Sequence, residues 1–216
     1  MMKILESTPS RYDRGISILT LGKLDESYDR LISHVQKGER VLDIGCGTGL
    51  LTLKAAFKGA VVKGIDVNAQ MLEIAQKKVV EAKLSQAVEL SEMGVAELGN
   101  EEPNSYDVVT SGLCFSELTE NEIKFTLNEI KRILKPDGLL LIADEVKPRS
   151  ISKRFLHELI KIPLIVVTYI ITQTTTHAVK GLPEKIKATG LKIESVRLNK
   201  QENFMELIAR KTREEI

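Results

Sequence analysis

Two periods of apolar and polar residues share this chain. Short apolar runs at residues 40–44, 60–65, 87–90, 106–111 and 139–143 read as buried strands, the third of them the weakest. Between them the period lengthens. Leu24, Tyr28, Leu31, Ile32 and Val35 recur at spacings of four, three, one and three, which sets them on one buried face of a helix over residues 25–35. Residues 50–57 form a second helix, and Asn68 caps a third whose buried face carries Leu72, Ala75 and Val79. Thr119, with Glu122 three residues on, is a capping box that opens a helix running to Leu134. Pro136-Asp137-Gly138 then turns the chain into the fifth strand.

Strand and helix thus alternate five times between residues 40 and 143, which predicts an α/β fold with a doubly wound parallel sheet covered on both faces. Ligands of such sheets lie beyond the carboxyl ends of the strands, where strand order reverses. Asp43 and the glycines that follow it, Asp66, residues 91–95 and residues 111–115 all fall at those ends. The run VLDIGCGTG at residues 41–49 is the strongest local signal, because glycines at 45, 47 and 49 leave the backbone open to close approach. A dinucleotide loop would need a further glycine at 50 or 52, where Leu and Thr stand, and no Gly-Lys-Ser or Gly-Lys-Thr follows to make a P-loop. Asp43 before the first glycine would repel a pyrophosphate and suits a cationic group.

Composition narrows the partners. With 31 basic and 30 acidic residues the net charge is +1, so no global field points to nucleic acid or an anionic membrane. Cys46 and Cys114 are too few for a disulfide framework or a four-thiolate zinc site, no metal site is expected, and no signal peptide precedes Arg11; a reducing cytoplasm is the expected compartment. At 216 residues, 43% of them apolar, one domain is expected.

Taken in order, VLDIGCGTG, GIDVN, MLEIA, YDVVTSGL, ILKPDG and LLLIAD resemble the motifs of the class I S-adenosylmethionine-dependent methyltransferases over residues 40–147, and within them the quinone-biosynthesis-like, type 11 group. The resemblance implies a Rossmann-like sheet of seven strands, mostly parallel, completed by residues 191–198 and by one antiparallel strand at 203–211. It implies S-adenosylmethionine as cofactor. Asp43 would lie near the methionyl ammonium, directly or through water. Gly45, Gly47 and Gly49, with Cys46 as a small buried residue among them, would pass under the cofactor. Asp66 would accept the ribose hydroxyls, Val67 and Met71 would wall the adenine, and Ser111 would meet the methionine end. Tyr12 in a Tyr-Asp pair before the first strand would cover the cofactor or pack on the sheet. Many members carry Asp-Ala after the third strand; here Gly94 and Val95 stand there, so the backbone of Met93, Gly94 and Val95, or Glu92, would read the adenine. The Asn-Pro-Pro-Tyr run of amino-group methylases is absent after Val109.

The expected layout is a single domain with a helical cover at 1–38, a cofactor-binding core at 39–147, a helical lid insert at 148–182 and closing strands at 183–216. The apolar run at 162–171 is too short to span a bilayer, which needs roughly 20 residues. It is read as a lid over a lipophilic acceptor, as core, or as a surface for a partner or for peripheral membrane contact. Residues 173–177, Gln-Thr-Thr-Thr-His, could line the acceptor pocket. With residues 11–16 and 20–22, SGLCFSEL and QTTT, the chain also resembles the corrinoid protein-associated methyltransferases, which implies a partner carrying a cobalamin-type cofactor. The acceptor is then a small lipophilic molecule or a corrinoid protein. A base is needed only for a protonated acceptor, and His177, Glu117 and Asp144 are the candidates. Non-catalytic binding of the cofactor is the alternative.

Overall fold

The computed structural model describes residues 23–147 and 178–213. Tyr12, His177, the apolar run at 162–171 and most of the expected lid lie outside the described residues. Helix α1 (Lys23–Ile32) precedes β1 (Arg40–Ile44), α2 (Leu50–Phe57), β2 (Val61–Asp66), α3 (Ala69–Glu81) and β3 (Val88–Glu92). After them come β4 (Tyr106–Gly112), α4 (Glu120–Ile133), β5 (Leu134–Glu145), α5 (Leu182–Ala188), β6 (Lys192–Leu198) and β7 (Phe204–Arg210). The seven strands form one sheet in the order β3-β2-β1-β4-β5-β7-β6. Neighbours from β3 to β5 are parallel, and β7 runs antiparallel to both β5 and β6. The expected sheet, mostly parallel with one reversed strand, is the one observed.

Alternation along β1 shows why both faces must be covered. Val41 joins Leu24, Leu31, Leu51 and Ala55 in one apolar core, whereas its neighbour Leu42 joins Ile123, Leu127, Ile130 and Ile186 in the other. Both are fully buried, and burial of each such side chain stabilises the fold by ~1.5–3 kcal/mol. The caps form as the sequence predicts. Asn68 Oδ1 accepts from the Gln70 and Met71 N–H groups at 3.0 and 3.3 Å, and Thr119 exchanges hydrogen bonds with Glu122.

The fifth strand differs from expectation. It begins at Leu134, opposite Tyr106, and the Pro136-Asp137-Gly138 turn is a bulge inside it, after which Leu139 pairs with Val108. The reason is tertiary: Lys211, just beyond β7, exchanges backbone hydrogen bonds with Asp137 and Gly138, so pairing continues past the turn.

Candidate active site

Strand order reverses between β1 and β4, since β2 and β3 lie on one side of β1 and β4 and β5 on the other, so a crevice opens at their carboxyl ends. The loop out of β1 lines it. Gly45, Gly47 and Gly49 have φ of +68°, +53° and +82°, a region that L side chains rarely adopt. Their surroundings differ. A Cβ on Gly45 would lie 2.6 Å from Cys114 Cβ, and one on Gly49 would lie 3.1 Å from Ala75 Cβ, so the outer two glycines let neighbouring elements close in. A Cβ on Gly47 would meet nothing within 4 Å. The middle glycine therefore faces open space. Beside it, Asp66 Oδ2 accepts the Gly47 N–H at 2.8 Å and Oδ1 accepts the Asn68 N–H at 2.8 Å. Each carboxylate oxygen keeps lone pairs for further donors, so this half-buried group still presents acceptor capacity at the mouth.

Asp43 lies deeper than the glycines that follow it. It is 1% exposed, with Thr52 Oγ1 donating to one oxygen at 2.6 Å and Thr110 Oγ1 to the other at 2.8 Å. It braces β1, α2 and β4 from beneath the loop. Burial pushes its carboxyl up to about 6, against the pull of the two hydroxyls.

The rim beyond β2 is apolar. Val67 is 72% exposed, Met71 is half-buried and Met93 is buried, its N–H bound to the Asp66 carbonyl at 3.0 Å. A Cβ on Gly94 would stand 3.2 Å from Val67 Cγ1, so the bare glycine and the valine form one shelf, with Val95 half-buried behind it. Glu97, which no sequence motif singles out, belongs here: its Oε2 accepts the Gly94 N–H at 2.8 Å. Its one signal is an acid three residues after Gly94, at the start of the 3-10 turn Val95–Asn100. Glu92 is exposed at the end of β3, opposite Asp66 in register.

At the β4 side Ser111 is fully buried, and its hydroxyl has no protein partner of ordinary hydrogen-bond geometry, only a polar contact with the Cys114 thiol. Because β4 lies beside β1, Cys46 and Cys114 share this rim. Burial pushes both thiols well above their ordinary value, which keeps them protonated. Of the candidate bases, Glu117 is exposed in the short 3-10 turn at Phe115–Glu117. Asp144 is fully buried; its oxygens accept the Phe115 N–H at 2.8 Å and the Glu145 N–H at 2.7 Å, and burial pushes it up to about 7. The structure thus seals Asp144 behind the loop that follows β4. Among the described residues no His, Cys, Asp and Glu group is arranged to hold a metal ion.

Residues 41–138 match the family model of a methyltransferase domain. The match spans the glycine loop, Asp66 and the strand-order switch that frame the crevice. Over that stretch the chain is similar to methyltransferase domains. The chain is 28% identical over 159 residues to a demethylmenaquinone methyltransferase of Symbiobacterium thermophilum, an alignment covering 71% of this chain and 62% of that protein. Its fold matches the [4+2]-cyclase SpnF with a TM-score of 0.69 at 21% identity, over 87% of this chain and 81% of the other. It also matches a geranyl diphosphate methyltransferase solved with S-adenosylmethionine, at a TM-score of 0.69 and 12% identity over 96% and 93%. The chain spans about half to three fifths of the length of the first curated relatives it matches. No helix among the described residues is long and apolar enough to cross a membrane.

Proposed function

We propose that this chain transfers the methyl group of S-adenosylmethionine to a small lipophilic acceptor, with quinone precursors the first class to test. The observation that carries the reading is Asp66 bound to the N–H of Gly47 at the edge of open space, a carboxylate placed for vicinal hydroxyls over a backbone with no side chain in the way. The rest of the rim fits the same group. Val67 and Met71 would offer an apolar wall for adenine beside Gly94, the Ser111 hydroxyl, in contact only with the Cys114 thiol, would meet the methionine end, and Asp43 would supply negative charge near an ammonium. When bound, the cofactor supplies a sulfonium-activated methyl group that leaves by direct displacement. The protein's task is placement, which in effective molarity can contribute ~7–11 kcal/mol. For a protonated hydroxyl acceptor, Glu117 is the exposed candidate base among the described residues.

The acceptor class is supported by the relative named demethylmenaquinone methyltransferase. No relative given above is named for a corrinoid, and the proposal includes none. Because a [4+2]-cyclase shares the fold, binding alone does not establish transfer. Calorimetry should show binding of S-adenosylmethionine and S-adenosylhomocysteine, weakened at least ~tenfold by Asp66→Ala, since charge-assisted hydrogen bonds are the strong ones. Labelled methyl should then appear in demethylated lipophilic quinones supplied in their reduced, quinol form, whose ring carbon or hydroxyl oxygen gives the electron pair and releases the proton. Binding of NAD in place of these ligands, or an indifferent Asp66→Ala, overturns the cofactor assignment. Binding without transfer to any such quinone overturns the acceptor assignment.

A further inference from the structure

Leu113, just past β4, has φ +60°. Among the described residues it is the only apolar residue in that region, and a leucine there lacks the local hydrogen bonds that let Asn or Asp settle. Such a conformation is disfavoured by a factor of roughly 5 to 30, so its surroundings must impose it. They are visible. The Leu113 N–H donates to the Ala143 carbonyl at 2.9 Å, and the Phe115 N–H donates to Asp144 Oδ2 at 2.8 Å. The Ser116 hydroxyl donates to the Leu113 carbonyl at 3.2 Å and stands beside Asp144, and the other Asp144 oxygen is fixed by the Glu145 N–H at 2.7 Å. Between these anchors sits Cys114, whose Sγ would be 2.7 Å from a Cβ on Gly45. The strained turn presses one side chain onto the first glycine of the cofactor loop.

We propose that Asp144 is a positioning residue of the cofactor site: it pins residues 113–116 in a strained course that keeps Cys114 against the glycine loop. This assigns the buried carboxylate a role other than that of a base, and its bearing on ligand affinity rests on the cofactor reading above. The test compares the full chain with Asp144→Asn and with Asp144→Asn combined with Leu113→Gly, since glycine takes φ +60° freely. Amide exchange of residues 113–118 without ligand should accelerate by roughly 5 to 30-fold in the single variant, and S-adenosylhomocysteine should bind more weakly within the same range. The double variant should recover most of both. General destabilisation, by contrast, would not be relieved by a change at Leu113. Unchanged exchange in Asp144→Asn, or a double variant as perturbed as the single one, overturns the proposal. If Asp144→Asn does not fold, Ser116→Ala removes the hydroxyl that ties the Leu113 carbonyl beside Asp144 and should shift the same two readouts by less; no shift overturns the proposal. A wild-type chain that shows the exchange pattern and no affinity for S-adenosylhomocysteine leaves the pinning intact and sinks the cofactor reading instead.

Discussion

Toward the amino ends of the strands Glu101 receives Lys63 Nζ and the Tyr106 hydroxyl, each at 2.6 Å, and Asp107 receives Lys135 Nζ at 2.7 Å; at the carboxyl ends Asp43 and Asp144 meet hydroxyls and backbone N–H groups. The consequences for charge are opposite. Burial works against Glu101, but its hydrogen bonds from Lys63 and Tyr106 prevail and hold it below the usual carboxylate range. For Asp43 and Asp144 burial prevails and raises both. A depression of about 580 Å³ at the amino end, lined by Asn104, Pro136, Lys211, Thr212 and Arg213, has both its cations already engaged: Lys211 Nζ donates to Asn104 at 2.8 Å and Arg213 Nε to Asp137 at 2.6 Å. One end of the sheet is finished as structure. The other keeps open backbone, acceptor capacity and strain, which is what a ligand can use.

The sharpest way to break this contrast lies within the glycine loop. Gly45→Ala forces an unfavourable φ, at ~1–2 kcal/mol, and presses a methyl onto Cys114, at ~1–3 kcal/mol. Urea unfolding should register about 2–5 kcal/mol lost. Gly47→Ala should cost only about 1–2 kcal/mol, yet weaken S-adenosylhomocysteine binding strongly, because its methyl enters open space. Equal stability losses for the two variants would contradict the packing described.

pH gives the next effect. The folded chain holds protons on Asp43 to about pH 6 and on Asp144 to about pH 7, whereas the unfolded chain releases them near 3.8, the ordinary aspartate value. The folded state therefore binds more protons across that window, and these two groups make stability fall as pH rises from about 4 to about 7, then level off. Thermal unfolding at several pH values should show the slope, and Asp43→Asn should flatten its lower part. Glu101 and Glu206 have lowered values and act in the opposite sense, losing stability as pH falls below the ordinary carboxylate range. A stability that climbs steadily from about pH 5 to about pH 7 would show that the carboxyl-end carboxylates are not starved of cations.

A smaller effect should separate the two ends. Glu101→Gln removes a hydrogen-bonded charge partner of Lys63 and should lower stability by about 1–2 kcal/mol while leaving S-adenosylhomocysteine affinity unchanged by calorimetry. Asp66→Ala should do the reverse. Loss of affinity from Glu101→Gln would mean that the ends are coupled through the sheet.

Much of the frame is legible in short stretches of sequence. The start of α2 at Leu50, the Asn68 cap, the Thr119–Glu122 box and the placing of Asp66 at a strand end all follow from residues within a few positions of one another. Pro136-Asp137-Gly138 reads as a turn leading into the strand but is a bulge within it, because pairing with the chain beyond β7 carries the strand through. Glu97 is hard to notice beside the bare Gly94, and Leu113 gives no warning, since nothing in a leucine announces a positive φ.

By itself the sequence determined the alternation of strands and helices, the glycine loop and the carboxylate that follows it, because periodicity, capping and glycine's backbone freedom act over a turn or two of chain. Tertiary structure decided what the remaining carboxylates do. Asp43 meets Thr52 and Thr110 across nine and 67 residues, and Asp144 meets Phe115 across 29. Burial and hydrogen bonding set their charge, and both exist only once β4 lies between β1 and β5.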